Sequence, residues 1–329
     1  MVRPTPASDV REPRAVGRRR PRALLAVTGV LLALVGSACT PGSGSSNAQP
    51  STSSTTTSGR SCANPASPTT VAYKTVPGVD RNLTSLDVHA PSAPCAASVV
   101  MWVHGGGYRI GDKSNQVRDK IKLFNDHGWI FISVNYRLTQ PGRPGSAQYP
   151  DHYDDVAAAV AWIHAHIAGY GGDPSRIALL GHSAGADIVS NVTTNPPYLQ
   201  RQGLDLSAIR CAGPLDTEGF DKAAAAPAEK QQWTDALGND PNYVVDTSAS
   251  LHIAAGRGIP STIGVSRGSV GRQRIETAYL DKLTAAGITA RRIDARTLSH
   301  QQVNTQIGAP GDTVMTPPLV AFLTNCFAK

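Results

Sequence analysis

Residues 181–185 read GHSAG and contain the residue types that nucleophilic catalysis at a carbonyl group requires. Ser183 has a glycine two positions to either side, and the apolar run 177–180 precedes the motif. In a sharp turn from a strand into a helix, such glycines leave room for a serine whose hydroxyl stands clear of the backbone. The motif also occurs by chance, so its interpretation depends on what else the chain supplies.

A second glycine-rich stretch, HGGGY at residues 104–108, follows another apolar run. Glycine N–H groups can approach a ligand closely because no side chain covers them. The N–H groups of Gly106 and Gly107, together with that of Ala184, are therefore candidates for an oxyanion hole in acyl transfer. His104 is interpreted as a residue that braces this loop. The two motifs in this order, each after a predicted strand, are more specific than either alone.

A serine nucleophile also needs a base within hydrogen-bond reach. Of the nine histidines, His300 is the best placed, because it lies beyond the last predicted strand and before the last predicted helix. His182 is next to Ser183, but its side chain is expected to point elsewhere.

The elements that must position these residues follow from the apolar pattern. Short apolar runs rich in β-branched residues alternate with longer stretches of helical spacing, which predicts a mostly parallel sheet covered by helices on both faces. Predicted strands occupy residues 69–75, 86–89, 98–104, 129–136, 177–180, 208–214, 261–265 and 290–295, and predicted helices occupy residues 151–170, 184–194, 272–286 and 319–327. The mixed region 216–258 is expected to cover the strand ends. The predicted fold class is α/β.

These stretches, with ISVNYRL at 132–138, the long run 149–185 and SHQQVN at 299–304, resemble the α/β-hydrolase superfamily. Within it they resemble the HGGG-type carboxylesterases, near the exported acetyl- and feruloyl-ester hydrolases and the hormone-sensitive-lipase relatives. The resemblance covers about residues 70–328. It implies the α/β-hydrolase fold with an eight-stranded sheet. It also implies Ser183 as nucleophile, His300 as base, and Gly106, Gly107 and Ala184 as the oxyanion hole.

The acid of the triad departs from that family's pattern. The family usually places it shortly after the strand predicted at 261–265, but no carboxylate follows here until Glu276, which should lie in the next helix. Three hypotheses remain. Asp216, after the preceding strand, serves as the acid; Ser266 or Ser269 orients His300 instead; or the site binds a ligand with little turnover. Asp216 itself has the alternative role of capping the segment that follows it.

The N-terminal region predicts export. Residues 1–22 hold seven arginines against two acidic residues, whereas the remaining 24 basic and 22 acidic residues nearly balance. The uncharged run 23–36 is too short to span a bilayer and is typical of a signal peptide. Small residues then precede Cys39, which favours lipidation at Cys39, with simple secretion after Ala38 as the alternative. We therefore predict a signal peptide at 1–38, a Ser/Thr-rich tether at 39–61 and a hydrolase domain at 62–329 on the outer face of the cell membrane.

Four further cysteines form an even set in an exported chain, which indicates two disulfides. Three pairings are possible; Cys62–Cys95 and Cys211–Cys326 are favoured. The first would tie the start of the domain to the loop before the first core strand, and the second would tie a central strand to the last helix. Their spacing lacks a metal-site pattern.

The sequence contains no metal, nucleotide or other cofactor signal, and its basic residues cluster in the predicted leader, so a nucleic-acid partner is not expected. The expected partners are a small ester substrate and, through the lipid anchor, the membrane; the oligomeric state is not predicted. The expected function is serine-dependent hydrolysis of carboxylic esters, with short acyl groups favoured because no long lid is evident. The alternatives are a non-catalytic surface binding lipoprotein, and hydrolysis of amides or formamides.

Overall fold

A single eight-stranded sheet forms the centre of the domain. The computed structural model describes residue 62 and residues 65–225, 227–240 and 242–329. The strands are β1 (Thr69–Ala72), β2 (Ser85–His89), β3 (Ala97–Val103), β4 (Ile130–Val134), β5 (Gly172–His182), β6 (Cys211–Leu215), β7 (Ser261–Ser266) and β8 (Ala290–Asp294). Their order across the sheet is β1-β2-β4-β3-β5-β6-β7-β8. The pairings of β2 with β1 and β4 are antiparallel, and all the others are parallel.

Helices connect the strands and cover the sheet. They are α1 (Arg118–Asp126), α2 (Asp151–His166), α3 (Ala184–Thr194), α4 (Pro197–Gln200), α5 (Pro227–Leu237), α6 (Tyr243–Asp246), α7 (Val270–Ala285), α8 (His300–Thr305) and α9 (Thr316–Phe327). In the described residues, no helix is both long enough and apolar enough to cross a membrane.

The core lies on both faces of the sheet, as the alternation of side chains along β3 shows. Val99, Met101 and Val103 belong to the apolar cluster that includes residues of α2, α3 and α7, whereas Val100 and Trp102 belong to the cluster that includes α1 and α9. Successive strand residues point to opposite faces, so every position of this strand is apolar except Ser98. Burying each large apolar side chain contributes about 1.5–3 kcal/mol relative to leaving it exposed.

Several sequence-based boundaries were wrong. The helix predicted over 151–170 ends at His166 and continues as a 3-10 helix, Ile167–Tyr170. Strand β5 begins at Gly172, before the predicted start at residue 177, because Gly172 pairs with Ala97 of β3. Ala208, predicted as strand, lies in the 3-10 helix Leu206–Ala208, whose first N–H groups Asp205 caps.

Five helices were not predicted, namely α1, α4, α5, α6 and α8, of which α5 and α6 lie in the mixed region 216–258. Helix α1 contains only three apolar residues, Ile121, Leu123 and Phe124, and its buried position 120 is a lysine. Helix α8 is only one and a half turns long, and it begins with a capping box in which the side chains of Ser299 and Gln302 bond each other's backbone N–H. His300, expected in a loop, is therefore the first residue of a helix.

Two disulfides are present, Cys62–Cys95 and Cys211–Cys326, which are the pairs favoured from the sequence. The first joins the start of the described domain to the segment before β3. The second joins β6 to α9. The predicted signal peptide, the lipid site Cys39 and the tether lie outside the described residues.

Candidate active site

Ser183 occupies the sharp turn between β5 and α3. Its backbone has φ 59° and ψ −121°, a conformation that residues with a side chain rarely adopt. A Cβ atom on Gly181 would collide with the carbonyl oxygen of Gly185, and one on Gly185 would collide with that of Val103. Only glycine fits at these two positions, because neighbouring backbone atoms lie too close for a side chain. The tight turn holds Ser183 in a strained backbone conformation that lifts its hydroxyl off the end of the sheet.

The glycine loop after β3 lies against this turn. Gly106 and Gly107 have φ values of +117° and +59°, which favour glycine. Within the described part of the chain, neither N–H donates to an acceptor. Ala184 is the first residue of α3, so its N–H also lacks an intrahelical acceptor. Three free backbone donors therefore accompany Ser183. His104 stacks on Tyr136 and accepts its hydroxyl hydrogen bond through the backbone carbonyl, consistent with a bracing role.

His300 and Asp216 complete a hydrogen-bonded chain with Ser183. The Nε2 atom of His300 is 2.9 Å from the Ser183 hydroxyl oxygen, and its Nδ1 is 2.5 Å from Oδ2 of Asp216. Asp216 directly follows β6 and is almost fully buried, in the left-handed backbone region with φ 68°. The ends of β5 and β6, and the start of α8 after β8, thus bring the three side chains together at the carboxyl edge of the sheet.

Two arginines hold Asp216, and the sequence analysis did not foresee them. The Arg267 guanidinium bonds Oδ2 of Asp216, and Arg272 Nη2 donates to Oδ1 at 2.8 Å. Arg272 also pairs with Glu218, with Nη1 2.5 Å from Oε2. Burial alone would raise the pKa of Asp216, but the hydrogen bonds from His300 and both arginines outweigh it and hold this pKa well below its usual range. Asp216 is therefore ionised.

The other proposed orienting residues do not contact His300. The Ser269 side chain accepts a hydrogen bond from Arg272 N and caps α7. Ser266 ends β7, and in the described residues its side chain forms no hydrogen bond with His300. Glu276 lies in α7, as expected, where its carboxylate accepts from Arg292 at 3.1 Å. The signal that could have found the arginines is their position: they follow β7, the neighbour of β6.

His182 also belongs to the site, contrary to the expectation that it points elsewhere. Its ring lies 4.4 Å from that of His300, centroid to centroid, and its Nε2 is 2.8 Å from the His300 carbonyl oxygen. Burial and the neighbouring His300 lower the pKa of His182 to about 4. At neutral pH the ring is therefore uncharged, with Nε2–H donating to the His300 carbonyl, and it fixes the backbone of the histidine that reaches Ser183.

A buried ion pair ties together the loops that carry these groups. Asp187, one turn after Ser183 on α3, accepts from Lys222 Nζ at 2.6 Å, and both side chains are buried. It also accepts from the hydroxyl of Tyr108, which directly follows the glycine loop, and from that of Tyr153 at 2.9 Å. Lys222 follows Asp216 by six residues and donates to the Thr247 carbonyl at 2.8 Å. One carboxylate thus links helix α3, the glycine loop and the segment after Asp216.

Ser183 and His300 open into a cleft of about 450 Å³. The glycine loop lines one side, and the side-chain amides of Gln116, Gln301 and Asn304 line another. Lys120 lies behind these amides, and its Nζ donates to the backbone carbonyls of Gln116 at 3.0 Å and Asn304 at 2.8 Å. It thereby fixes α8, which begins with His300. Two other cavities of comparable volume are not lined by Ser183, His300 or Asp216.

In the described residues, one group of side chains has a geometry that could suit a metal ion. Ligand atoms of His182, Asp216 and His300 lie within 4.8 Å of one another. However, His182 Nε2 already bonds a carbonyl, and the guanidinium of Arg267 lies against both other residues. A fixed cation beside the ligand atoms opposes a metal cation there. The arrangement therefore suits proton transfer better than metal binding.

Comparison with solved structures defines the class of fold. An esterase from Thermogutta terrifontis with bound propionate superposes with a TM-score of 0.62 at 21% identity, covering 79% of this chain and 93% of that one. An esterase from Pyrobaculum calidifontis superposes with a TM-score of 0.61 at 16% identity, covering 74% and 80%. With the sheet order and the strand–Ser183–helix turn, these similarities confirm the predicted α/β-hydrolase fold.

The chain belongs to the carboxylesterase family, whose profile matches residues 45–240. Over 106 residues it is 38% identical to a probable carboxylic ester hydrolase, LipM, of Mycobacterium tuberculosis, covering 32% of this chain and 23% of the relative. Over 177 residues it is 28% identical to a para-nitrobenzyl esterase of Bacillus subtilis, covering 52% and 36%. The matched segments thus span between about a quarter and a third of these curated relatives.

Proposed function

We propose that the protein hydrolyses carboxylic esters through an acyl-enzyme on Ser183. The observation that carries this proposal is the hydrogen-bonded chain from Ser183 through His300 to Asp216, at the mouth of a cleft and beside three free backbone N–H groups. Membership of the carboxylesterase family supports the same reaction class.

In the proposed mechanism, the Ser183 oxygen attacks the ester carbonyl carbon while its proton passes to Nε2 of His300. Asp216 accepts the hydrogen bond from Nδ1–H and stabilises the imidazolium that forms. The N–H groups of Gly106, Gly107 and Ala184 would bind the oxyanion. The C–O bond to the alcohol then breaks as Nε2–H protonates the leaving alkoxide. Water, deprotonated by the same nitrogen, releases the acid and restores Ser183.

We further propose that short acyl groups are preferred. The cleft has about 450 Å³ for the whole ester, which is at the smaller end for ligand pockets. Its glycine-lined side gives little apolar surface on which a long chain could be buried.

The predicted N-terminal features lead to a proposal on location. The arginine-rich start, the uncharged run and Cys39 support an exported domain held outside the cytoplasmic membrane by lipid on Cys39, with the segment 39–61 as a tether. Radiolabelled palmitate incorporation into the full chain, lost on Cys39→Ala, is the expected result; secretion of an unlabelled protein would support cleavage without lipidation.

The non-catalytic alternative rested on the missing acid. The contact between Asp216 and His300 removes that reason, so no observation in the site favours a binding protein over a hydrolase.

The experiment that tests the function measures release of p-nitrophenol from acetate, butyrate and octanoate esters. We expect wild-type turnover that falls with chain length, and a loss of at least about 10³-fold in kcat for Ser183→Ala. Ser190→Ala, on the same helix, is the matched control and should retain wild-type kcat. Equal rates for Ser183→Ala and wild type would contradict the nucleophile assignment, and no turnover of any ester would contradict the function.

A further inference from the structure

We infer that Arg267 competes with Asp216 for the Nδ1 atom of His300 and thereby restrains the base. This inference rests on the proposed function, since it concerns how readily His300 accepts the proton of Ser183. Arg267 is then a positioning residue that acts through His300 and does not itself touch substrate.

The geometry places two groups on one ring nitrogen. Nδ1 of His300 is 2.5 Å from Oδ2 of Asp216 and 2.9 Å from Nη2 of Arg267. The Nε atom of the same guanidinium bonds Oδ2 of Asp216. Arg267 and Asp216 are both largely buried, so water screens this arrangement little.

Nδ1 can satisfy one of these neighbours but not both. With a proton, Nδ1 donates to Asp216; without one, it accepts from Arg267, whose guanidinium always keeps its protons. In the first tautomer Nε2 is free to accept the proton of Ser183. In the second tautomer Nε2 carries the proton and cannot act as the base. Arg267 thus stabilises the unreactive tautomer.

Charged groups of both signs surround the imidazole. Asp216 faces the ring from the end of β6, Arg267 from the end of β7, and the uncharged His182 from β5. Behind Asp216, Arg272 pairs with Glu218. The two arginines balance the two carboxylates, and Arg267 is the cation that contacts the ring.

Asp216 does not depend on Arg267 alone for its orientation. Arg272 Nη2 bonds the other carboxylate oxygen at 2.8 Å, and the carboxylate is almost fully buried. Removing the Arg267 guanidinium should therefore leave Asp216 in place, so that it becomes the sole partner of Nδ1.

The test is the ¹⁵N spectrum of the histidine-labelled full chain with the ring neutral, because the chemical shifts of Nδ1 and Nε2 distinguish the tautomers. His300→Gln assigns the signals. We expect wild type to populate both tautomers of His300, and Arg267→Met to convert the ring wholly to the Nδ1–H form that donates to Asp216. We also expect kcat to rise about twofold to threefold with KM within about twofold, because only the Nδ1–H form is reactive. Arg267→Lys should give an intermediate spectrum.

Arg274→Met, which removes an exposed arginine of α7 that contacts neither His300 nor Asp216, is the matched control and should leave spectrum and kcat unchanged. A wild-type ring found wholly as Nδ1–H would overturn the inference without any variant. So would an Arg267→Met protein whose spectrum is unchanged or whose kcat falls. The spectrum needs no turnover, so failure of the inference is distinguishable from failure of the proposed function, which Ser183→Ala tests.

A different observation, the amide wall of the cleft, leads us to propose that the alcohol part of the ester is a neutral polyol. The wall is formed by Gln116, Gln301 and Asn304. Oε1 of Gln116 accepts from Nε2 of Gln301 at 2.8 Å and from Nδ2 of Asn304. Among the described residues, the buried Oδ1 of Asn304 has no partner. This proposal also rests on the proposed function.

These bonds leave both donors and acceptors for a ligand. Gln116 keeps its two amide N–H donors, and Gln301 keeps a carbonyl acceptor. Hydroxyl groups donate and accept, so adjacent hydroxyls match such a wall, whereas an alkyl group would leave these groups unpaired. The amides carry no charge, and Lys120 is occupied by two carbonyls behind them, so the wall offers no free positive charge to an anion.

A monoacetylated hexose and cyclohexyl acetate compare a polyol with an alkyl ring of similar size. We expect wild type to prefer the sugar ester by about tenfold or more in kcat/KM, and Gln301→Leu to reduce that ratio towards one. Gln200→Leu, an exposed glutamine at the end of α4, is the control and should keep the wild-type ratio. A wild-type ratio of one or less, with p-nitrophenyl acetate still hydrolysed, would overturn this proposal alone; loss of all turnover would overturn the function.

Discussion

At the scale of single residues, the carboxylate that contacts His300 comes from the end of β6 and not from the end of β7. Side chains at the carboxyl ends of neighbouring parallel strands lie close together, so either strand can supply a carboxylate to the same ring. Here the end of β7 supplies Arg267, which binds the carboxylate from β6. Arg267 thus lies where the resemblance predicts the acid, and it contacts Asp216, the carboxylate that we propose serves instead.

Glu276 is a second residue whose environment has a measurable consequence. Its side chain is buried against β7 and, among the described residues, Oε1 has no hydrogen-bond partner. Burial raises the pKa of Glu276 to about 7, although Arg292 opposes the shift. Because this pKa is raised, the folded state binds the extra proton between about pH 4.5 and 7. The contribution of Glu276 to stability therefore falls as pH rises through that range.

We expect Glu276→Gln to be more stable than wild type at pH 8 by about 1–2 kcal/mol, and to lose that advantage near pH 4. Urea unfolding of both proteins across this pH range measures the difference. Asp126→Asn, an exposed carboxylate of α1, should show no such trend. An advantage that is the same at pH 4 and pH 8 would argue against the assigned protonation of Glu276.

At the scale of elements, the site depends on a few contacts that hold loops in register. Asp187 connects helix α3 to Tyr108, directly after the glycine loop, and to Lys222, six residues after Asp216. His182 and Lys120 bond backbone carbonyls at the two ends of α8. These contacts fix the positions of the elements that carry Ser183, His300 and Asp216. The side chains that form them are not the proposed base or nucleophile.

The Asp187–Lys222 pair should show strong coupling in a double-mutant cycle. Removing one partner leaves a buried charge without its counter-charge, so we expect Asp187→Asn and Lys222→Met each to cost about 3–5 kcal/mol of unfolding free energy. The double variant should cost less than the sum of the two single variants. Urea unfolding gives all four values; additive costs would show that the two charges do not stabilise each other.

The sequence predicted elements with strong patterns and missed those that depend on tertiary contacts. The β5–Ser183–α3 turn and the bounds of α3 follow from local glycines and apolar residues, and they were predicted correctly. Helix α8 is too short to show a period, and α1 has only three apolar residues and a buried lysine, so neither was recognised. The arginines around Asp216 became apparent only with the strand order, because β6 and β7 are neighbours in the sheet although about fifty residues separate them.

At the scale of the whole molecule, two disulfides close loops of very different length. Cys62–Cys95 spans 33 residues, whereas Cys211–Cys326 spans 115 and joins the centre of the sheet to the last helix. Closing a longer loop removes more conformational entropy from the unfolded chain. The longer disulfide also fixes α9 against the face of the sheet that carries the second apolar cluster.

Replacing Cys211 and Cys326 by serine should therefore destabilise the protein more than replacing Cys62 and Cys95. The loop lengths predict a difference of about 1 kcal/mol, with the longer disulfide contributing about 4–5 kcal/mol in total. Urea unfolding of the oxidised proteins measures both costs. A larger loss for the Cys62–Cys95 variant would mean that contacts of the native state, and not the unfolded chain, determine the contribution of each disulfide.

The measurement that tests the catalytic assignment most directly is kcat of Asp216→Asn on p-nitrophenyl acetate, beside wild type and Ser269→Ala. An asparagine preserves the shape of the side chain but favours the wrong tautomer of His300. We therefore expect kcat to fall by about 10³- to 10⁴-fold with KM nearly unchanged, while Ser269→Ala stays within about threefold of wild type. An Asp216→Asn protein with kcat within about threefold of wild type would contradict Asp216 as the acid of the triad.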